Sequence, residues 1–200
     1  DADGDGLNDY EERLQGTDSQ DADSDDDGLS DGEEEIYFTD PTEPDSDLDG
    51  LQDGLELGLT TGLEDTDLTR FIPDEDPSTT SDPAHPDTDL DGLFDGEEDE
   101  DGDGAVDPSE TDPLLSDTDN DQLSDGQEVL IYGTDPLDED TDDDGVSDSQ
   151  EIWVGSDPFD SVADQDGDGV PDTEDNCPQT ANPDQIPSVD GQGAACTMDE

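Results

Sequence analysis

Asp1, Asp3, Asp5, Gly6, Leu7, Asp9 and Glu12 open the chain in a spacing suited to a hard divalent cation. Carboxylates at alternate positions of a tight turn converge on one point. Position 7 adds its backbone carbonyl, and a carboxylate at position 12 closes the far side through both oxygens. Oxygen-only ligands in this register are the chemistry of calcium. Glycine at position 6 takes a backbone angle that a residue with a Cβ adopts only under strain.

Seven further copies follow the first, here loop 1. Loop 2 is Asp23, Asp25, Asp27, Leu29, Asp31 and Glu34; loop 3 is Asp45, Asp47, Asp49, Leu51, Asp53 and Glu56. Loop 4 is Asp87, Asp89, Asp91, Leu93, Asp95 and Glu98; loop 5 is Asp99, Asp101, Asp103, Ala105, Asp107 and Glu110. Loop 6 is Asp117, Asp119, Asp121, Leu123, Asp125 and Glu128; loop 7 is Asp140, Asp142, Asp144, Val146, Asp148 and Glu151. Loop 8 is Asp164, Asp166, Asp168, Val170, Asp172 and Asp175. All five acidic positions are filled in every copy, and residue frequencies give well under one full match by chance in 200 positions. Position 6 is glycine except in loop 6, where Gln122 is expected to carry strain of about 1 kcal/mol and weaken the site.

Composition sets the problem these loops must solve. There are 69 acidic residues against two basic ones, a net charge of −67, and only 24% hydrophobic residues. Such a chain is a disordered polyanion unless something other than apolar burial organises it. The loops use 40 of the 69 acids, and one calcium each would leave every loop near −3. A second ion per loop brings the chain to about −35, so at least eight ions, and more than one per repeat, are expected. Flanking acids such as Asp18, Asp40, Asp112, Asp135 and Asp157 would supply the extra ligands. The charge excludes nucleic acid as a partner. No apolar stretch suits direct membrane insertion, and an anionic membrane is approachable only through bridging calcium. A halophile's acidic surface would scatter its carboxylates rather than hold them in register. The chain opens inside a loop without a secretory leader, as expected of a fragment or processed form.

The markers recur mainly every 22 to 24 residues, a period of stacked repeats. Each unit reads as loop, short helix and turn: Asp125 caps a helix through Tyr132, Gly133 ends it, and Asp135-Pro136 turns the chain. Apolar residues at position 7 and after position 12 (Ile36-Tyr37-Phe38, Leu57, Val129 to Tyr132, Ile152-Trp153-Val154) are expected to form a row of miniature cores. Residues 57–86 interrupt the period as an extended loop with Arg70, His85 and an additional ion at Asp74 and Asp76. The fold class is therefore a metal-organised repeat or solenoid with little regular secondary structure: EF-hand-like calcium loops, short helices and turns, and no large hydrophobic core.

Asp175-Asn176-Cys177-Pro178 followed by Asn182-Pro183-Asp184-Gln185 and Cys196 makes the C-terminus resemble the thrombospondin type 3 repeats. Residues 1–163 look like the cysteine-free bacterial version, in which Gly-Thr-Asp-Pro separates the loops, and 164–200 like the cysteine-containing repeat. The resemblance implies units that wrap around calcium and stack into a rod or coil. Of the acids usual after Asn-Pro-Asp-Gln only Asp190 remains, so no full ion site is expected there. Cys177 and Cys196 lack the further soft ligands of a metal site. A disulfide across the 18-residue gap would stabilise by about 3 kcal/mol and imply an oxidising compartment, with two free buried thiols as the alternative.

Trp153, with Tyr132 nearby, is expected to pack beneath the next repeat, with a carbohydrate-stacking pair as the other reading. Catalysis has no support: the single histidine, His85, has no periodic place, and calcium-bound carboxylates make poor general acids. These features imply an extracellular, calcium-stiffened stalk, spacer or self-assembling filament subunit of a microbial surface protein. Its partners would be calcium and copies of itself or other surface proteins. The alternative is a spacer attached to a secreted enzyme or adhesin. An EF-hand sensor would need paired helices that open on an apolar groove.

Overall fold

Every helix begins at position 9 of a loop in the computed structural model, which describes residues 2–175, 177–181 and 183. The elements are α1 (Asp9–Gln15), α2 (Asp31–Tyr37), α3 (Asp53–Glu56), α4 (Asp95–Glu98), α5 (Asp125–Gln127) and α6 (Asp148–Val154). A π-helical turn, Glu128–Tyr132, continues α5 directly. No strand occurs among the described residues, and loops 5 and 8 lead into turns rather than helices.

The caps lie one residue earlier than expected. Ser124, not Asp125, receives the Gln127 N–H, at 3.2 Å. Asn8 and Ser30 cap α1 and α2 in the same way. The reason is local: Asp125 is drawn back onto its own loop by the backbone N–H and hydroxyl of Thr118, at 2.9 and 2.6 Å. Gly133 does end the helical segment in the left-handed region, at φ 81°.

The chain divides into two compact units, Asp1–Ser116 and Asp117–Glu200. In the first, the buried apolar residues are Leu7, Leu29, Leu51, Leu55, Phe71 and Leu93; in the second, Leu123, Val146 and Cys177. Position 7 is thus the repeating core residue, with Ala105 and Val170 only half-buried.

The apolar residues after position 12 do not form the expected cores. Ile36, Phe38, Leu130 and Ile131 stand out in solvent, and Trp153 is 86% exposed instead of packing under a neighbour. Positions 9 and 12 share one face of the helix, three residues apart. That face turns back toward the loop, leaving Asp31 and Glu34, or Asp148 and Glu151, buried at 0 to 3% exposure. The residues that follow are carried outward.

Residues 57–86 are the long loop expected between loops 3 and 4. They contain no helix or strand, as a loop should, and they fold down as a strap on the preceding repeats. Asp65 accepts the Ala22 N–H at 2.9 Å, the Thr66 hydroxyl donates to Asp23, and the Asp67 N–H donates to Asp26 at 2.7 Å. Arg70 pairs with Asp26 at 2.6 Å. The Phe71 ring lies so close over Gly28 that a Cβ there would meet it at 2.5 Å. Further along, the Glu75 N–H donates to the Asp103 carbonyl of loop 5 at 2.8 Å. One buried aromatic ring and one cation thus hold the strap on an acidic surface.

Candidate metal centres

The same internal bonds build loops 2 to 8. The position-6 N–H donates to the position-1 carboxylate, as from Gly28 to Asp23 (3.1 Å), Gly104 to Asp99 (2.8 Å) and Gly169 to Asp164 (2.8 Å). Gln122 makes this bond to Asp117 at 3.1 Å, and its φ of 90° confirms the strained conformation expected at that site. The position-7 N–H donates to the position-5 carboxylate in all eight loops, from Leu7 to Asp5 through Val170 to Asp168, at 2.6 to 2.9 Å. These bonds turn positions 1, 3 and 5 inward. In loops 2, 3 and 4 the carboxylates of Asp23/Asp25/Asp27, Asp45/Asp47/Asp49 and Asp87/Asp89/Asp91 come within 4.8 Å of one another. In loop 5, Asp99, Asp101 and Glu110 do so.

Position 9 has a different place. Both oxygens of Asp31, Asp53, Asp95, Asp125 and Asp148 accept bonds from position 2, one from its backbone N–H and one from its Ser or Thr hydroxyl. This clasp closes the loop and starts the helix. Its signal, a Ser or Thr at position 2 of loops 2, 3, 4, 6 and 7, is visible in the sequence and was not part of the calcium pattern. Asp1 lies outside the described residues, as do Cys196 and Asp190. Cys177 itself is buried at 3% exposure.

Inward-facing oxygens are left over, and they test whether a cation fits. Buried carboxylate oxygens of Asp3, Asp25, Asp47, Asp119 and Asp142 at position 3 have no hydrogen-bond partner. At position 12 the same holds for both oxygens of Glu12 and Glu34 and one each of Glu56, Glu128 and Glu151. A buried, unpartnered carboxylate oxygen costs several kcal/mol unless a cation satisfies it. Burial first, and then the charges of Asp25, Asp27, Asp31 and Asp53, push Glu34 up to about 10. Burial and Asp27 push Asp25 to about 8, and burial and Asp49 push Glu56 to about 9. Carboxyls so placed cannot all ionise near neutrality without a multivalent cation among them. The donor set, oxygen only and largely anionic, fits calcium.

Loops 1 to 4 in the first unit, and loops 6 and 7 in the second, meet at position 10. The Gly54 N–H donates to Asp27 at 3.1 Å and the Gly96 N–H to Asp49 at 3.3 Å. A Cβ on Gly32, Gly54 or Gly96 would lie 2.4, 2.1 or 2.6 Å from the position-5 carbonyl of the preceding loop. In loop 7 the position holds Ser149, whose N–H donates to Asp121 at 2.7 Å and whose hydroxyl bonds the Asp121 carbonyl. At the joint of loops 3 and 4, Asp49, Glu56 and Asp95 form a wholly buried cluster drawn from two repeats. The flanking acids mainly shape turns: Asp18, Asp40, Asp112, Asp135 and Asp157 each accept the backbone N–H two residues on. Asp76 likewise turns to the N–H and hydroxyl of Ser78.

Residues 163–185 match the family model of the thrombospondin type 3 repeat, and residues 1–22, 23–44, 117–139 and 140–161 each match that of the bacterial TSP3 repeat. Together these matches cover more than half of the chain. The chain belongs to the thrombospondin type 3 repeat family. No curated protein matches it. Thrombospondin type 3 repeats are calcium-binding structural repeats, and neither matching model is that of an enzyme. Loops 3 to 5 lie outside the matched residues, yet they carry the same position-6 and position-7 bonds as the matched repeats.

Proposed function

We propose that the chain is an extracellular calcium-organised stalk or spacer whose repeats are ordered by bound ions in place of an apolar interior. The carrying observation is the set of buried carboxylate oxygens at positions 3 and 12 that bond to nothing in the protein. Positions 1, 3, 5 and 12 hold one calcium in each EF-hand-like loop, with the position-7 carbonyl. Position 9 joins from the far side, since Asp95 clasps loop 4 and also faces Asp49 and Glu56 of loop 3. That shared cluster supports more than one ion per repeat, as does the charge of −67. A Cys177–Cys196 disulfide would close the last repeat and suits an oxidising, extracellular setting. No described helix is long and apolar enough to cross a membrane. No catalytic role is assigned to these residues.

Chelation is the direct test. Removing calcium should abolish the helical circular dichroism and expand the hydrodynamic radius, and restoring it should reverse both. An unchanged spectrum and radius would overturn the proposal. Metal analysis of the dialysed protein should count more than eight calcium ions per chain. Electron microscopy with and without calcium separates a filament subunit, joined through ions on the acidic faces, from an unassembled stalk.

A further inference from the structure

Loops 6 and 7 depart from their own repeat pattern at two places, and both departures line one hollow. Gln122 occupies position 6, where the other loops have glycine, and tolerates φ 90° to do so. Ser149 occupies position 10, where loops 2, 3, 4 and 6 have glycine. Together with Ser147, Gln150, Ile152 and Trp153 they surround an open hollow of about 600 Å³ above Leu123. The volume is within the range of small-ligand sites.

The chemistry of the lining is the second observation. More than a third of the chain is acidic, yet no residue lining this hollow carries a charge. The acids adjacent in sequence, Asp121, Asp148 and Glu151, are turned inward, at 4, 0 and 3% exposure. What remains is an indole, 86% exposed, beside amides and hydroxyls. Several of these groups are fixed in place. The Ser147 and Ser149 hydroxyls lie 3.2 Å apart, Ser149 is tied to Asp121, and the Gln150 amide donates to the Gln165 carbonyl at 3.3 Å.

We infer that this hollow binds a neutral oligosaccharide, with Trp153 as the stacking platform and Gln122, Ser147 and Gln150 as hydrogen-bonding walls. An anionic ligand is repelled by the chain's net charge of −67. A cationic ligand finds no carboxylate in the hollow to pair with, and a purely apolar one would cover the Gln122 amide without offering it a hydrogen bond. A hexopyranose satisfies both halves of the lining. Its C–H face covers the indole while its hydroxyls meet the amide and serine groups. Among the lining residues only Leu123 belongs to a calcium ligand set, through its backbone carbonyl; the groups assigned to the sugar do not.

Trp153 is the only tryptophan, so its fluorescence reports this site alone. The calcium-loaded full chain should be titrated with cellotetraose, chitotetraose and maltotetraose, and binding followed in parallel by ligand-observed NMR. A saturable emission change with at least one of them is expected, and Trp153→Ala should abolish the NMR signal. Gln122→Gly separates binding from folding. It restores the residue that the backbone prefers, so the thermal midpoint in calcium should hold or rise while affinity falls about tenfold. No saturable response up to about 10 mM would overturn the inference, as would sugar binding unchanged in both variants. Binding of a basic amphipathic peptide in place of the sugars would also overturn it, making the hollow a protein-docking surface.

Discussion

Loops 2 and 7 share one ligand pattern and one set of internal bonds, but they are buried very differently. Position 6 donates to position 1 in both, at 3.1 Å from Gly28 and 2.7 Å from Gly145. The strap crosses loop 2, and Asp23, Asp25 and Asp27 are buried at 0 to 3% exposure. In loop 7, Asp140, Asp142 and Asp144 are half-buried. Glu34 is accordingly pushed up to about 10 and Glu151 only to about 8, with burial the leading cause in each. A loop's own twelve residues make the cage; what lies over it sets how strongly protons compete with calcium.

Removing the cover should erase the contrast. Phe71→Ala takes away the ring over Gly28 and should cost about 3 kcal/mol, read as a lower thermal midpoint in calcium. Amide exchange should quicken at loop 2 and stay unchanged at loop 7. Gly54→Ala attacks the joint below loop 2, since its Cβ would lie 2.1 Å from the Asp27 carbonyl, and should cost about 2 kcal/mol. The matching change at the loop 6–7 joint, Ser149→Ala, already has room for a Cβ. It loses the hydroxyl's contacts with the Asp121 carbonyl and the Ser147 hydroxyl, about 1 kcal/mol by the same melts.

Acidity should sharpen the comparison. Calcium needs ionised ligands, so each loop loses affinity as pH falls below the raised values of its own carboxyls. Between about pH 10 and pH 8, loop 2 should weaken while loop 7 holds; below about 8 both should weaken. Residue-resolved NMR titrations with calcium would show it. Without calcium the sign reverses. The folded form binds these protons more tightly than the unfolded one, so its stability falls as pH rises from the ordinary carboxyl range toward the raised values. The metal-free chain, unfolded near neutrality and above, should therefore regain some helical circular dichroism near pH 5 and none near pH 9. The smallest effect is expected from Arg70→Ala. Its pair with Asp26 is half exposed on the arginine side, so the loss should be under about 1 kcal/mol and shrink further in salt.

Within one loop, the sequence was legible nearly residue by residue. The inward turn of positions 1, 3 and 5, the left-handed position 6, the helix after the loop and its end at Gly133 all follow from bonds that span seven residues or fewer. The cap falls at Ser124, one position before Asp125, because the Thr118 hydroxyl clasps Asp125 onto its own loop. Ile36, Phe38 and Trp153 stay exposed for another reason. Their apolar character says they could be buried, but not that Glu34 and Glu151 already occupy the inward face of each helix.

The ligand register, the likeness to thrombospondin type 3 repeats and the demand for cations were determined by the sequence alone, because spacing within twelve residues and net charge need no partner. The strap over loop 2, the glycine joints and the uncharged hollow beside Trp153 were decided only in three dimensions. Those contacts join residues 27, 28, 41 and 47 positions apart. No local bond specifies such a pairing; it depends on which loops and which strap come to rest against one another once the chain has closed.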